Sequence, residues 1–167
     1  MGGGNRVDVG DDPVRRRREW RLERTAWALA ALLLLLALAG LFGGGPLSWA
    51  GAGSPDGVVH LSYDRFVRGY SPTTLEVSIA PQAAREGRIR LGVSQEFLET
   101  VAVQNVTPQP LRVVGGGDAL VYEFAADRAE QPLTVAFDLQ AEQTGLHRAE
   151  VGAEGAQPVR FWQFVYP

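Results

Sequence analysis

The chain has no cysteine and no lysine, and histidine occurs only twice in its 167 residues. The missing cysteines exclude disulfide staples and thiol nucleophiles, so a domain in an oxidising compartment has to be held by its apolar core. The missing lysines exclude a phosphate-binding loop. The glycine triplets Gly43–Gly45 and Gly115–Gly117 also lack the strand–loop–helix frame of one, and read as linker and turn glycines. The scarcity of histidine bears on catalysis. His60 alternates with Val59 and Leu61 as a solvent-facing strand residue does, and His147 follows a turn at Thr144 and Gly145. Neither stands near a nucleophile motif such as G-x-S-x-G, so no Ser–His–Asp triad is expected. Two isolated histidines do not make a zinc or copper site. Carboxylates are scattered: Glu96 and Glu99 are one helical turn apart and Asp127 and Glu130 share a loop, with no dense Asp/Asn loop for calcium. The expectation is a protein that is not an enzyme, with no catalytic residue, no metal and no cofactor. Asn105-Val106-Thr107 matches a glycosylation acceptor, a triplet that is common by chance.

Charge is unevenly placed. Residues 1–24 carry seven arginines against five acids, and the remainder carries nine against fourteen. An acidic remainder argues against a nucleic-acid partner. Between the two lies TAWALAALLLLLALAGLF, Thr25 to Phe42, with no charge, no proline and one interior glycine, Gly40. Eighteen residues of helix span about 27 Å, close to the hydrocarbon thickness of a bilayer. A transmembrane helix is therefore expected within residues 25–47, with the Gly43–Pro46 run ending it. Arg15, Arg16, Arg17, Arg18, Arg21 and Arg24 precede the stretch, and Trp27 and Trp49 flank it at headgroup depth. The positive-inside rule then places the N-terminus in the cytoplasm and residues 48–167 outside the inner membrane. The alternative is a cleaved signal peptide with a small-x-small site at Ala50–Ala52. It is disfavoured by the 24 residues before the apolar stretch and by the length of that stretch.

Residues 1–24 read as a disordered basic arm, rich in Gly, Asp and Arg, with RRRREWRLER able to continue the membrane helix. Within the span, Ala26, Ala30, Ala37, Gly40 and Gly44 fall on one stripe. Small residues at such spacing let a second helix approach closely, so the stripe is a candidate packing face.

Residues 48–57 read as a linker and residues 58–167 as one extracytoplasmic β domain. Period-two alternation marks strands over 58–63, 74–79, 88–93, 101–107, 111–114, 119–124, 133–139, 146–151 and 159–166, with a helical turn at 95–100. Short strands at this spacing predict an antiparallel immunoglobulin-like β-sandwich, with a small β-barrel as the alternative. The closing segment FWQFVYP puts Phe161, Gln163 and Val165 on one face and Trp162, Phe164 and Tyr166 on the other. A half-exposed strand rarely needs aromatics on both faces, which makes Trp162, Phe164 and Tyr166 a candidate partner face.

The segment RREWRLERTAW before the apolar stretch and FWQFVYP at the end resemble those of uncharacterised single-span bacterial membrane proteins with a small extracytoplasmic β domain. That resemblance implies topology and no activity. The expected function is a membrane-anchored accessory or partner-binding subunit of a membrane complex. Its expected partners are the lipid bilayer and an integral membrane protein, and no small-molecule ligand is specified. The competing reading is an exported module that binds a small ligand or glycan, or a hydrolase.

Overall fold

The computed structural model describes residues 13–38, 48–126 and 131–167, and the chain divides into two units, Met1–Leu38 and Ala39–Pro167. The first unit contains the helix α1, Pro13–Leu38. Proline suits a first helical turn because its missing N–H would have no partner there. The Arg, Glu and Leu residues that follow are good helix formers. Residues 13–24, read as part of a disordered basic arm whose RRRREWRLER segment is able to continue the membrane helix, are helical, as that segment allows. Leu29, Leu32, Leu33, Leu34, Leu35 and Trp27 all point outward, so the described apolar part has no core of its own to face. The Arg24 guanidinium lies 4.5 Å from the Trp20 ring centroid. Among the described residues no helix is long and apolar enough to cross a membrane. The described helix takes in the first 14 residues of the 18-residue apolar stretch, and 39–42 lie outside the described residues.

The second unit is a β-sandwich. In chain order its strands are β1 (Trp49–Gly53), β2 (Val59–Asp64), β3 (Phe66–Arg68), β4 (Pro72–Ile79), β5 (Arg88–Ser94) and β6 (Val101–Thr107). These are followed by β7 (Arg112–Gly116), β8 (Ala119–Ala125), β9 (Leu133–Ala141), β10 (Gly145–Ala153) and β11 (Val159–Tyr166). The one-turn helix α2, Gln95–Leu98, joins β5 to β6 and buries Phe97. Sheet A has the order β1-β2-β4-β9-β6 and sheet B the order β3-β11-β10-β5-β8-β7. All pairs are antiparallel except β3 with β11. Two separate sheets give the sandwich rather than the barrel.

The alternation that predicts the strands also builds the core. Leu75, Val77 and Ile79 of β4 and Val135, Phe137 and Leu139 of β9 face Leu91 and Val93 of β5 and Tyr122 and Phe124 of β8. Tyr122 meets Phe137 edge-on across the layers with centroids 5.2 Å apart, and Phe97 meets Phe161 at 5.5 Å. Such pairs hold about 0.5–1.5 kcal/mol beyond their burial.

Two strands depart from expectation. Residues 48–57, read as linker, contain β1, which pairs with β2 from Trp49↔Asp64 to Gly53↔His60. Its Trp-Ala-Gly-Ala-Gly sequence has almost no side-chain alternation, and backbone pairing with an alternating neighbour holds it in place. The three-residue β3 arises because the chain crosses from sheet A to sheet B at Arg65 and runs beside β11. The hairpin β7–β8 turns at Gly117, whose φ of 67° at the first central position is that of a II′ turn.

Candidate docking surface

The outer face of sheet B is a surface that the described residues of the β unit leave open and that carries the most varied chemistry, and the strand register orders it in rows. At one side Arg112 and Arg90 flank Glu123 from the two neighbouring strands. The next row is small or apolar: Val114, Val121, Gly92 and Gly152 lie side by side across β7, β8, β5 and β10. Gly116, Ala119 and Ser94 follow, and Glu150 comes beside Ser94, whose hydroxyl accepts the Glu150 backbone N–H at 3.1 Å. Then Arg148 stands opposite Trp162, and finally Leu146 opposite Phe164, with Phe66 on the far side of Phe164. Because the middle rows lack large side chains, a depression of about 1680 Å³ runs across the face. It is larger than the roughly 300–1,000 Å³ of small-molecule pockets and better matches a segment of another macromolecule.

The electrostatics of the depression are mostly settled within the chain. Glu123 is 3% exposed although it faces outward, because Arg88, Arg90 and Arg112 cover it. A hydrogen bond from Arg88 holds its carboxyl below the ordinary carboxylate range, aided by the charges of Arg88, Arg112 and Arg90 and opposed by desolvation. Arg90 also pairs with Glu154 at 3.1 Å, and that carboxylate is the main cause of its raised pKa. Arg160 pairs with Glu150 at 2.8 Å.

At the Trp162 side the face is aromatic. Trp162 and Phe164 are 38% and 40% exposed, and Tyr166 is half-buried. Phe161, Gln163 and Val165 alternate inward, as the sequence pattern predicts. Phe66 meets Trp162 edge-on at 5.9 Å, and the Arg65 guanidinium lies 5.7 Å from the Trp162 centroid.

The other singled-out residues are placed as follows. Trp27 and Arg24 lie on α1, and Arg15, Arg16, Arg17, Arg18 and Arg21 belong to the same helix. Of the small-residue stripe, Ala26 and Ala30 are exposed on α1 and Ala37 belongs to it, while Gly40 and Gly44 lie outside the described residues. Trp49 projects from β1. His60 is exposed on β2, and His147 on β10 meets the backbone carbonyl of Gln143 at 2.9 Å, so the two histidines belong to different sheets. Glu99 accepts from Gln95 at 3.0 Å, and Asp127 and Glu130 lie outside the described residues. Among the described residues no three His, Asp or Glu groups converge to hold a metal.

Sequence reasoning missed the depression and the Glu123 cluster. The available signals were Gly92 inside an otherwise alternating strand, which marks close approach or an open face, and Arg88 and Arg90 on one face of β5.

No protein-family model matches the chain, and no curated protein matches it. Among solved structures, a cohesin module from a family 33 glycoside hydrolase of Clostridium perfringens ATCC13124 aligns with a TM-score of 0.42 and 12% identity. The alignment covers 70% of this chain and 98% of that one. A likeness at this level says nothing of function.

Proposed function

We propose that the chain is a membrane-anchored, non-enzymatic accessory subunit that docks a protein partner of the inner membrane. The apolar stretch Thr25–Phe42 is its single span, with the N-terminus in the cytoplasm and the β-sandwich outside, as in the single-span proteins its two end segments resemble. The carrying observation is the outer face of sheet B, a depression of about 1680 Å³ that the described residues of the β unit leave open, with Trp162 at its margin. Large aromatic side chains beside a desolvatable surface are the usual anchors of protein interfaces. The small-residue stripe from Ala26 to Gly44 supplies a second contact, against a partner helix.

One structural detail favours an anchor over a cleaved leader. Ala50 is buried in the core, and Ala52, paired with Leu61, packs against it. Cleavage after Ala52 would remove most of β1 and uncover the edge of β2, so the segment serves better as part of the fold than as a processing site.

The test is extraction of the full chain from its own membrane in a mild detergent, with sizing of the complex. The expected result is a species larger than the chain alone, shifted toward the free chain by Trp162→Ala and by Gly40→Leu. A free monomer whose behaviour neither substitution changes would sink the proposal.

A further inference from the structure

Among the described residues, the exposed large apolar side chains of the β unit fall into two groups. Val103, Leu111, Val113 and Val114 lie on the edge strands β6 and β7 and the segment between them. Among the described residues every exposed aromatic of the unit is in the other group: Tyr70 (73% exposed), Trp49 (67%), Phe164 and Trp162, together with Leu146 (56%). These five belong to one end of the sandwich. Trp49 opens β1 opposite the end of β2, and Tyr70 donates its backbone N–H to Ala141 at the end of β9. Leu146 and Phe164 pair where β10 begins and β11 closes.

The chain enters the domain at this same end. Ser48 is fully buried. It accepts the Arg65 N–H through its carbonyl at 2.7 Å, and its hydroxyl donates to the Phe66 carbonyl at 2.9 Å. Phe66 is the immediate neighbour of both Trp162 and Phe164. Six peptide steps separate Phe42, the last residue of the apolar stretch, from Ser48, a reach of about 20 Å when fully extended.

The arginines sort the same way. Of the eight described arginines of the β unit, Arg88, Arg90, Arg112 and Arg160 pair with carboxylates within the fold. The remaining four, Arg65, Arg68, Arg85 and Arg148, form no ion pair among the described residues. Arg65 lies over Trp162, Arg68 pairs in the ladder with Tyr166, and Arg148 stands opposite Trp162, so three of these four are at the aromatic end. The carboxylates of that end include Asp64, beside Trp49 in the ladder, and Asp138, which lines the same shallow depression as Trp49. They also include Glu142 in the β9–β10 turn, Glu99, whose carbonyl accepts from Gln143 of that turn, and Asp118 in the β7–β8 turn. The end is therefore aromatic, and it gathers three of the four arginines that form no ion pair among the described residues, beside carboxylates, on a unit that carries nine arginines against fourteen acids.

We infer that this end of the β-sandwich, through Trp49, Tyr70, Leu146 and Phe164 and the guanidiniums of Arg65, Arg68 and Arg148, rests on the phospholipid surface outside the span. The inference rests on the span proposed above and refines it. Aromatic rings with one wet and one apolar side collect at headgroup depth, and arginine stems lie along apolar surface while their heads reach phosphate. A connection that can reach no farther than about 20 Å keeps the surface at hand, so the seat need only be weak to be occupied most of the time. Seated in this way, the domain leaves the Gly92–Gly152 depression and the β7 edge for a protein partner.

The absence of cysteine makes the test direct, since one introduced cysteine carries one label. Thr144→Cys labels the β9–β10 turn at the aromatic end, and Gln82→Cys labels the opposite end, both at exposed positions. Each full-length variant, bearing an environment-sensitive fluorophore, is reconstituted at one copy per nanodisc of phosphatidylcholine with a quarter phosphatidylglycerol. The expected result is a blue-shifted emission quenched by bromine-labelled lipid for the label at 144, and a water-like emission for the label at 82. Leu146→Asp with Phe164→Asp returns the 144 label to water, while Ala156→Asp at the other end does not. Equal, water-like emission at 144 and 82 in a chain that floats with its lipid overturns the seating and leaves the span intact. A chain that does not float with lipid overturns both. A 144 label that is shielded only in native membranes and not in lipid alone assigns the surface to a protein and likewise overturns the lipid seat.

Discussion

Glu123 shows how a residue's neighbours change its meaning. In sequence it is one polar position of an alternating strand, and three cross-strand arginines turn it into a covered carboxylate. Because its folded pKa lies below the ordinary value, its stabilising contribution is complete above that ordinary value. The contribution is lost as pH falls through the folded one. Glu123→Gln is therefore expected to lower the melting temperature at pH 7, and the gap to the unsubstituted chain is expected to close in strong acid; thermal melts at both ends of that range check it. Two glycines on the same face make a paired test. A Cβ at Gly152 would sit 3.1 Å from both Cα and Cβ of Pro158, whereas one at Gly92 would find nothing closer than 3.6 Å. Gly152→Ala should destabilise by about 1–3 kcal/mol and Gly92→Ala by less, as read from denaturant midpoints. Gln163 was legible as an inward residue by its place between Phe161 and Val165. That its Nε2 donates to the Asp64 carbonyl at 2.8 Å, tying β11 to the point where β2 ends, was not legible, because the partner lies 99 positions away.

At the scale of elements, the strands read correctly are those whose side chains alternate. The period of two records which face meets the core, and it is visible in β4, β5, β9 and β11 without any knowledge of their neighbours. β9 lies between β4 and β6 and lends Phe137 to the centre of the core. Phe137→Ala is expected to cost about 3–5 kcal/mol, measurable as a loss of most of the denaturant midpoint. β7 is the counter-case: all five of its residues are exposed, and it is held by one neighbour and a II′ turn. Val113→Lys with Val114→Lys should leave stability within about 0.5 kcal/mol while weakening any partner that uses this edge, checked by melting and by sizing of the extracted complex. β1 and β3 escaped the sequence because small or few side chains leave no periodic trace, and only a neighbouring ladder makes them strands.

For the whole molecule, the core of the β unit is drawn from residues 50–165, and α1 belongs to a separate unit. A fragment of residues 48–167 is accordingly expected to melt cooperatively with a β-type circular dichroism spectrum, whereas one beginning at residue 54, which lacks β1, should melt at a lower temperature. What composition and periodicity determined alone was the division into a basic segment, an apolar stretch and a β-rich remainder, together with the inward and outward faces of the regular strands. These follow from local chemistry, since charge, hydropathy and alternation are properties of neighbouring residues. What the tertiary structure decided was the order of strands in two sheets, the shielding of Glu123, and the open row of Gly92 and Gly152. It also decided the gathering of Trp49, Tyr70, Leu146 and Phe164 at the end where Ser48 is held. Each of these joins residues tens of positions apart through the backbone pairing of strands, and such pairing depends on register, which leaves no mark in the sequence of either strand alone.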